Sequence, residues 1–258
     1  MKGRIFIALV LVAAAWIVGR QLGIGAKGEG RYEFSQSYQL APGARVEVGG
    51  INGPVEVSTG DGDTAEVHVT VTARDEDALA AHPVTVRQGG SSLVVRGENR
   101  RGWRFWHWLM GGDNVRQSVT LRLPRQVELT AQGINGRLTA GELDGAVHVN
   151  GVNGKVEIAR AAGAADIHGV NGAVSLGVTR VGDEGLRVGG VNGRVELRLG
   201  QEVNADLNVH GLNGNVTSDL PDVTIRQEGH ATWNGRIGAG GADISINGVN
   251  GSVRLTRD

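Results

Sequence analysis

A short motif, Gly-Φ-Asn-Gly with Φ an aliphatic residue, recurs along the chain and constrains its fold more than any other feature. Asn-Gly occurs eight times, and seven of these copies have the full motif; the exception is Thr232-Trp233-Asn234-Gly235. Asn and Gly tolerate positive φ, so each copy predicts a tight corner of the backbone. The predicted corner residues are Asn52, Asn135, Asn153, Asn171, Asn192, Asn213, Asn234 and Asn250.

The segments beside each corner alternate apolar and polar residues, as half-buried β-strands do. Around Asn153, for example, Val147, Val149, Val156 and Ile158 hold the alternating apolar places. The last corners are separated by 21, 21, 21 and 16 residues, whereas 83 residues separate the first two. The pattern predicts an all-β fold built from repeating units of about 20 residues.

Two architectures fit these units. The Asn-Gly pairs are either corners of a β-solenoid or type I′ turns of antiparallel hairpins. Hairpin pairing would place the apolar residue before each Asn beside polar partners such as Lys155 and Arg194, whereas a solenoid corner points it inward. The sequence therefore favours the solenoid over the hairpins.

Composition excludes several other classes. Glycine accounts for 43 of 258 residues, but it does not occur at every third position and there are only 5 prolines, which excludes collagen. A hydrophobic content of 40% and a net charge of −1 argue against disorder. The balance of 26 basic and 27 acidic residues predicts no nucleic-acid partner. The absence of cysteine excludes disulfides and thiol chemistry.

The N-terminus has the pattern of an export signal. A basic start, Met1–Arg4, precedes the uncharged run Ile5–Val18, which predicts a hydrophobic helix within residues 1–25. This helix is either a cleaved signal peptide or a retained membrane anchor, and the weaker alternative is a buried helix of the folded domain. Both main alternatives place the remaining chain outside the cytoplasmic membrane. We expect a linker at 26–45 and the β domain at 46–258.

The motifs and their flanks resemble the bacterial putative-adhesin domains, a β-strand-repeat family of unknown function. The resemblance covers about residues 45–258 and rests on the Gly-Φ-Asn-Gly corners and on the lead-in Val119–Pro124 followed by Val127–Leu129. It implies a single-stranded right-handed β-solenoid (β-helix). It implies no particular ligand, because the family has no agreed activity.

Residues 58–126 do not follow the regular repeat of residues 127–258. Alternating valines still predict strands at 67–71, 84–86 and 93–95, and a short helix is expected at 75–81, ended by Pro83. Between them lies an aromatic and basic cluster. Its candidate contact residues are Arg101, Trp103, Arg104, Phe105, Trp106 and Trp108. The cluster is either an apolar plug on the core or an exposed tip that contacts a membrane or partner.

The sequence offers no grouped catalytic residues. Glu157 and Glu196 occupy equivalent outward positions two units apart, which suits solvated surface charge better than a carboxylate site. His168 and His210 also hold equivalent places, and a separation of about 10 Å would be too large for shared metal coordination. We therefore predict no catalytic residue, no cofactor and no metal.

These observations predict a non-enzymatic, exported protein of the bacterial cell envelope that presents an extended surface for adhesion. Its partner would be an envelope protein, a glycan or a membrane surface. One alternative is a module that senses envelope stress or holds a signalling partner. A second alternative, from another class, is a carbohydrate-active enzyme built on a β-helix.

Replacing Trp103, Trp106 and Trp108 with Ala tests the role of the aromatic cluster. If the cluster is an exposed tip, association with membranes or intact cells weakens while the melting temperature stays unchanged, because no core packing is lost. The measurement is co-sedimentation together with thermal unfolding. A large fall in melting temperature would instead identify the cluster as an apolar plug.

Overall fold

The computed structural model describes residues 30–98, 115–182 and 184–258, which form one all-β unit with a short helix. Strands β1 to β7 are Gly30–Gln39, Arg45–Gly49, Val55–Gly60, Thr64–Ala73, Val84–Gly89, Ser92–Gly97 and Arg116–Pro124. Strands β8 to β13 are Glu128–Ile134, Leu138–Leu143, Val147–Val152, Val156–Ala161, Ala165–Asn171 and Val174–Val178. Strands β14 to β19 are Leu186–Leu199, Ala205–His210, Asn213–Ser218, Val223–Gly229, Thr232–Ile237 and Ala242–Arg257. Helix α1 is Glu76–Ala81.

The strands pair in two rows that share the two long strands β14 and β19. The row before the corners runs β5-β6-β2-β8-β10-β12-β14-β19-β15-β18-β17. The row after the corners runs β1-β4-β7-β3-β9-β11-β13-β14-β19-β16. Because β14 and β19 pass through the corner without a break, the two rows form one sheet that curls nearly closed around a single core.

The predicted single-stranded right-handed β-solenoid is wrong. A solenoid requires uniformly parallel stacking, but the sheet is mixed: β4 pairs antiparallel with β1 and β7, β5 with β6, and β18 with β15 and β17. The predicted N-terminal helix falls on residues 1–25, outside the described residues. Among those described, the helix is the six-residue α1, and no helix combines the length and hydropathy needed to span a membrane.

Chain order also differs from the spatial order of the units. The C-terminal strand β19 lies between β14 on one side and β15 with β16 on the other. A spacing of 21 residues between Asn192 and Asn213 suggested direct neighbours, yet Asn250 lies between them. At the opposite end, β2 and β3 pair with β8 and β9 across the 83-residue gap. Pairing between distant segments depends on packing, which local periodicity does not record.

The corner itself follows the sequence prediction. The Φ residue of the motif points inward at every full copy, with 1–2% of its surface exposed: Ile51, Ile134, Val152, Val170, Val191, Leu212 and Val249. The glycine before Φ has a left-handed φ between 59° and 69° at all seven copies. An L side chain is strained in that conformation, so glycine is the residue that turns the chain there.

The core is aliphatic along its length. Its largest fully buried side chains are leucines and isoleucines, such as Leu129, Ile158 and Leu197. Aromatic rings are confined to the two ends, with Tyr38 in β1 and Trp233 in β18. Unbranched repetition of Val, Leu and Ile gives each strand the same width, which lets successive strands stack in register.

Local predictions in the irregular region are confirmed. Strands β4, β5 and β6 contain the valines at 67–71, 84–86 and 93–95. Helix α1 follows its N-cap Asp75, whose side chain accepts a hydrogen bond from the Ala78 backbone at 2.8 Å. The segment predicted as a linker includes β1, which pairs with β4 along ten residues and leaves the linker without support from Gly30 onward.

The glycine after each Asn sits where neighbouring backbones approach closely, and Gly172→Ala tests this contact. A Cβ at Gly172 would lie 2.3 Å from the carbonyl oxygen of Gly154 at a φ of +156°. We expect the free energy of unfolding to fall by about 3 kcal/mol, because backbone must shift to accept the methyl group. Chemical denaturation measures the change.

Gly229→Ala is the matched control. A Cβ there meets nothing within 4 Å, and φ is not left-handed, so stability should change by less than ~0.5 kcal/mol. Equal losses in the two variants would contradict the close-approach explanation.

Candidate functional site

A ladder of asparagine side chains runs along the outside of the corner. Each Nδ2 donates to the Oδ1 of its neighbour, with donor–acceptor distances of 3.0–3.3 Å. In spatial order, this amide ladder consists of Asn52, Asn135, Asn153, Asn171, Asn192, Asn250 and Asn213. Every amide keeps a second N–H that faces solvent, because all seven side chains lie on the exposed side of the corner.

The eighth predicted corner residue, Asn234, does not join the amide ladder. It lies in the middle of β18, opposite Asn208 on one side and Arg226 on the other, both in antiparallel pairings. The turn before β18 falls at residues 229–231 instead. The sequence carried a signal of this difference, since Asn234 alone follows Trp rather than an aliphatic residue preceded by Gly.

The end of the amide ladder at Asn52 is fixed by a buried glutamine. Gln117 in β7 is 3% exposed, and its Oε1 accepts a hydrogen bond from the Asn52 backbone at 2.8 Å. The Asn52 side chain in turn donates to the Val115 carbonyl at 2.8 Å. These bonds hold the start of β7 against the first corner and so position Arg116.

A groove opens beside this end of the amide ladder. Its volume is about 450 Å³, within the ~300–1,000 Å³ range typical of ligand sites. The lining residues are Asn52, Gly53, Pro54, Glu56, Val115, Arg116, Asn135, Gly136 and Arg137. The groove therefore lies across β3, β7 and the corner that precedes β9.

The groove carries a positive excess. Arg116 and Arg137 are exposed, and within the described ranges neither guanidinium forms a hydrogen bond or an ion pair. Glu56 is the single carboxylate in the lining. Other arginines of the molecule are neutralised by close carboxylates, such as Arg45 by Glu128 at 3.0 Å. Two unpaired guanidiniums beside amide groups can bind an anion with hydroxyl substituents.

Sequence reasoning missed this groove. Arg116, Glu56 and Arg137 belong to three strands that are far apart in the chain, and β7 joins them only through its pairing with β3. Glu56 appeared in the sequence as one member of an outward row of glutamates, without a cationic neighbour. The long-range pairing of β3 with both β7 and β9 creates the site.

The predicted row of glutamates is placed as expected. Glu157 and Glu196 are separated by Ser175 on the intervening strand. Lys155 donates to Glu157 at 2.7 Å and holds the pKa of that carboxyl below its usual range. Glu157 therefore stays ionised as a solvated surface group and does not form a carboxylate pair with Glu196.

The two equivalent histidines are farther apart than their order in the chain suggests. Gly189 and Asn247 occupy the two positions between His168 and His210, because β19 lies between β14 and β15. His168 instead contacts Asp166, with 2.6 Å between Nε2 and Oδ1. Among residues placed by the structure, no group of three or more His, Cys, Asp or Glu could hold a metal ion.

The candidate contact tip lies outside the described residues. Arg101, Trp103, Arg104, Phe105, Trp106 and Trp108 all belong to the segment 99–114. Within the described part of the chain, Tyr32 is the exposed large hydrophobic residue, at 45%. The outer faces of the sheet are thus polar and suit polar ligands.

Asn171→Ala tests whether the amide ladder contributes to stability. The change removes the bonds to Asn153 and Asn192, so we expect the free energy of unfolding to fall by about 1–2 kcal/mol. Asn234→Ala is the matched control, since Asn234 lies outside the amide ladder, and it should cost less. An equal loss in the two variants, measured by chemical denaturation, would contradict a stabilising ladder.

Comparison with known proteins gives similarity of structure alone. No protein-family profile matches the chain, and no curated protein matches its sequence. A putative cell adhesion protein from Clostridium sporogenes is similar with a TM-score of 0.46 and 10% identity, over 89% of this chain and 100% of that one. A putative adhesin from Bacteroides fragilis has a TM-score of 0.33 at 10% identity, over 87% and 97%.

A putative lipid binding protein from Parabacteroides distasonis is also similar, with a TM-score of 0.21 and 8% identity over 88% of this chain and 95% of that one. Two of these three solved structures are described as adhesion proteins, which agrees with the resemblance noted in the sequence. The chain is therefore similar to putative adhesins of known structure.

Proposed function

We propose that this protein binds an acidic glycan, without chemical turnover, on the outer side of the cytoplasmic membrane. The observation that carries the proposal is the groove in which the unpaired guanidiniums of Arg116 and Arg137 flank the first two rungs of the amide ladder. Export is supported by the basic start and apolar run at residues 1–18.

The lining of the groove suits a sugar acid. A guanidinium binds a carboxylate through two parallel hydrogen bonds, and two guanidiniums outnumber the single carboxylate of Glu56. Glu56 can accept hydrogen bonds from sugar hydroxyls, while the Asn135 amide has a spare donor. Pro54 and Val115 provide apolar surface for the C–H face of a ring.

The amide ladder favours a polymer over a single sugar. Asn135 lines the groove and is also a rung of the amide ladder, so a bound chain can continue from one onto the other. Strand spacing repeats the solvent-facing amide N–H about every 4.8 Å. Row charges on the same side, including Lys155 and Arg194, extend the polar surface.

Titration of the full chain with a uronic-acid oligosaccharide tests the proposal. We expect saturable binding by calorimetry, and a Kd at least about tenfold higher for Arg116→Gln and for Arg137→Gln, because each removes a charge-assisted hydrogen bond. A neutral glucan of equal length should bind more weakly, and added salt should weaken uronate binding.

Arg187→Gln is the matched control, since Arg187 is exposed on β14 away from the groove. Its Kd should stay within about twofold of the unaltered chain. Equal loss in this variant, or no uronate binding by the unaltered chain, would overturn the proposed site. Release of new reducing ends during incubation would contradict binding without turnover.

A further inference from the structure

One edge of the sheet lacks the charges that protect the others. Among the described residues, strands β1, β5, β16 and β17 each pair on one side only. Exposed charged residues lie on β1, β5 and β17, including Arg31, Arg87 and Arg226. Strand β16, with the sequence NGNVTS, carries none. Charged edges discourage further strand pairing, and β16 does not have this protection.

The backbone of β16 presents an unused donor at this edge. At equivalent positions in earlier units, the N–H donates to a carbonyl of the next strand: Val55 to Arg137, Leu138 to Lys155 and Val156 to Ala173, at 2.8–2.9 Å. Val216 holds this position in β16, and no described strand lies beyond it. Its N–H therefore points toward the open edge.

The core is also incompletely covered at β16. The six residues equivalent to Val216 are 0–1% exposed: Val55, Leu138, Val156, Val174, Val195 and Val253. Val216 is only partly buried. On the other side of the corner this end is closed, because the Leu212 N–H donates to the Ala231 carbonyl at 3.3 Å. The uncovered surface is thus limited to β16.

The amide ladder ends at the same place. The Asn213 side chain donates to Asn250 at 3.1 Å, but its Oδ1 accepts no amide within the described part of the chain. Every other member of the amide ladder accepts one from its neighbour. A further Asn placed one strand beyond β16 would complete the series.

The close contact at the corner dictates the next residue of any such strand. A Cβ at Gly214 would lie 1.6 Å from the Gly251 oxygen, and one at Gly251 would lie 2.0 Å from the Gly193 oxygen. By the same geometry, the strand beyond β16 would face the Gly214 oxygen and must carry Gly after its Asn.

We propose that β16 binds an extended segment of another polypeptide, added as a parallel strand with the pattern Φ-Asn-Gly-x-Φ. The segment's Asn would donate to Asn213, its Gly would lie over Gly214, and its residue x would accept the Val216 N–H. Addition of a strand to an open edge is an established mode of peptide recognition. The site lies six strand spacings from the Arg116–Arg137 groove, about 29 Å, and is independent of it.

A folded second copy does not fit this edge in parallel. The equivalent strand of its first unit, β3, is already paired with β7, and Asn52 already donates to Val115. The partner strand must therefore come from a segment that is not engaged in such a sheet.

The test uses a labelled peptide with the sequence of Val147–Ile158, VHVNGVNGKVEI, and the full chain. We expect saturable binding by fluorescence anisotropy, and at least tenfold weaker binding for the same peptide carrying Gly154→Val. Val216→Pro in the protein should also weaken binding at least tenfold, because it removes the edge donor. Uronate binding by Val216→Pro should be unchanged, which shows that the variant is folded.

Absence of saturable binding to the unaltered chain would overturn the proposal, as would equal binding of the Gly154→Val peptide. Because the peptide variants leave the protein unchanged, this comparison holds even if Val216→Pro fails to fold. Dimerisation in sedimentation that Val216→Pro abolishes, without peptide binding, would assign the edge to pairing between two copies instead.

Discussion

Close approach between backbones at the Asn-Gly corner is the constraint on which the rest of the structure depends. The glycine after each Asn lies so near the preceding unit that a Cβ would meet a carbonyl oxygen at 2.3 Å or less, as at Gly154 and Gly193. This contact fixes the relative position of neighbouring units along the strand direction. Strands on both sides of the corner therefore stay in register, and a one-residue slip would turn every apolar side chain outward.

The amide ladder is a consequence of that register. Asparagines that occupy the same place in stacked units come within hydrogen-bonding distance, including Asn52 and Asn135, which are 83 residues apart. The ladder gives the corner a continuous polar face, and its two ends differ. Gln117 and Val115 close the end at Asn52, whereas Asn213 leaves an acceptor open at the other. The two proposed binding sites lie at these unlike ends.

Charge is distributed in a way that separates structure from candidate function. Ion pairs such as Arg96 with Glu47 and Arg254 with Asp219 join neighbouring strands on the exposed faces. Exposed pairs of this kind contribute little to stability, about 0–1 kcal/mol each, but they neutralise the cations they involve. Arg116 and Arg137 have no such neutralising partner, which is why the groove attracts attention as a site.

Much of this fold could be predicted from the sequence, and the reasons for the remainder are physical. The alternation around each corner determined the strands, the inward Φ residues and the outward asparagines, because burial repeats every second residue in any half-buried strand. The same alternation cannot distinguish parallel from antiparallel partners, so it did not reveal the antiparallel pairing of β4 or the exclusion of Asn234 from the corner.

Spacing along the chain likewise indicated which units exist but not which are neighbours. The insertion of β19 between β14 and β15, and the pairing of β3 with β7, brought together residues that the sequence keeps far apart. The groove of Arg116 and Arg137 and the open edge at β16 exist only because of those long-range pairings. Sequence by itself determined the corner and what it exposes. Tertiary structure decided the order of the units, and with it every candidate site, because neighbours in a sheet are selected by backbone hydrogen bonds and shared core packing.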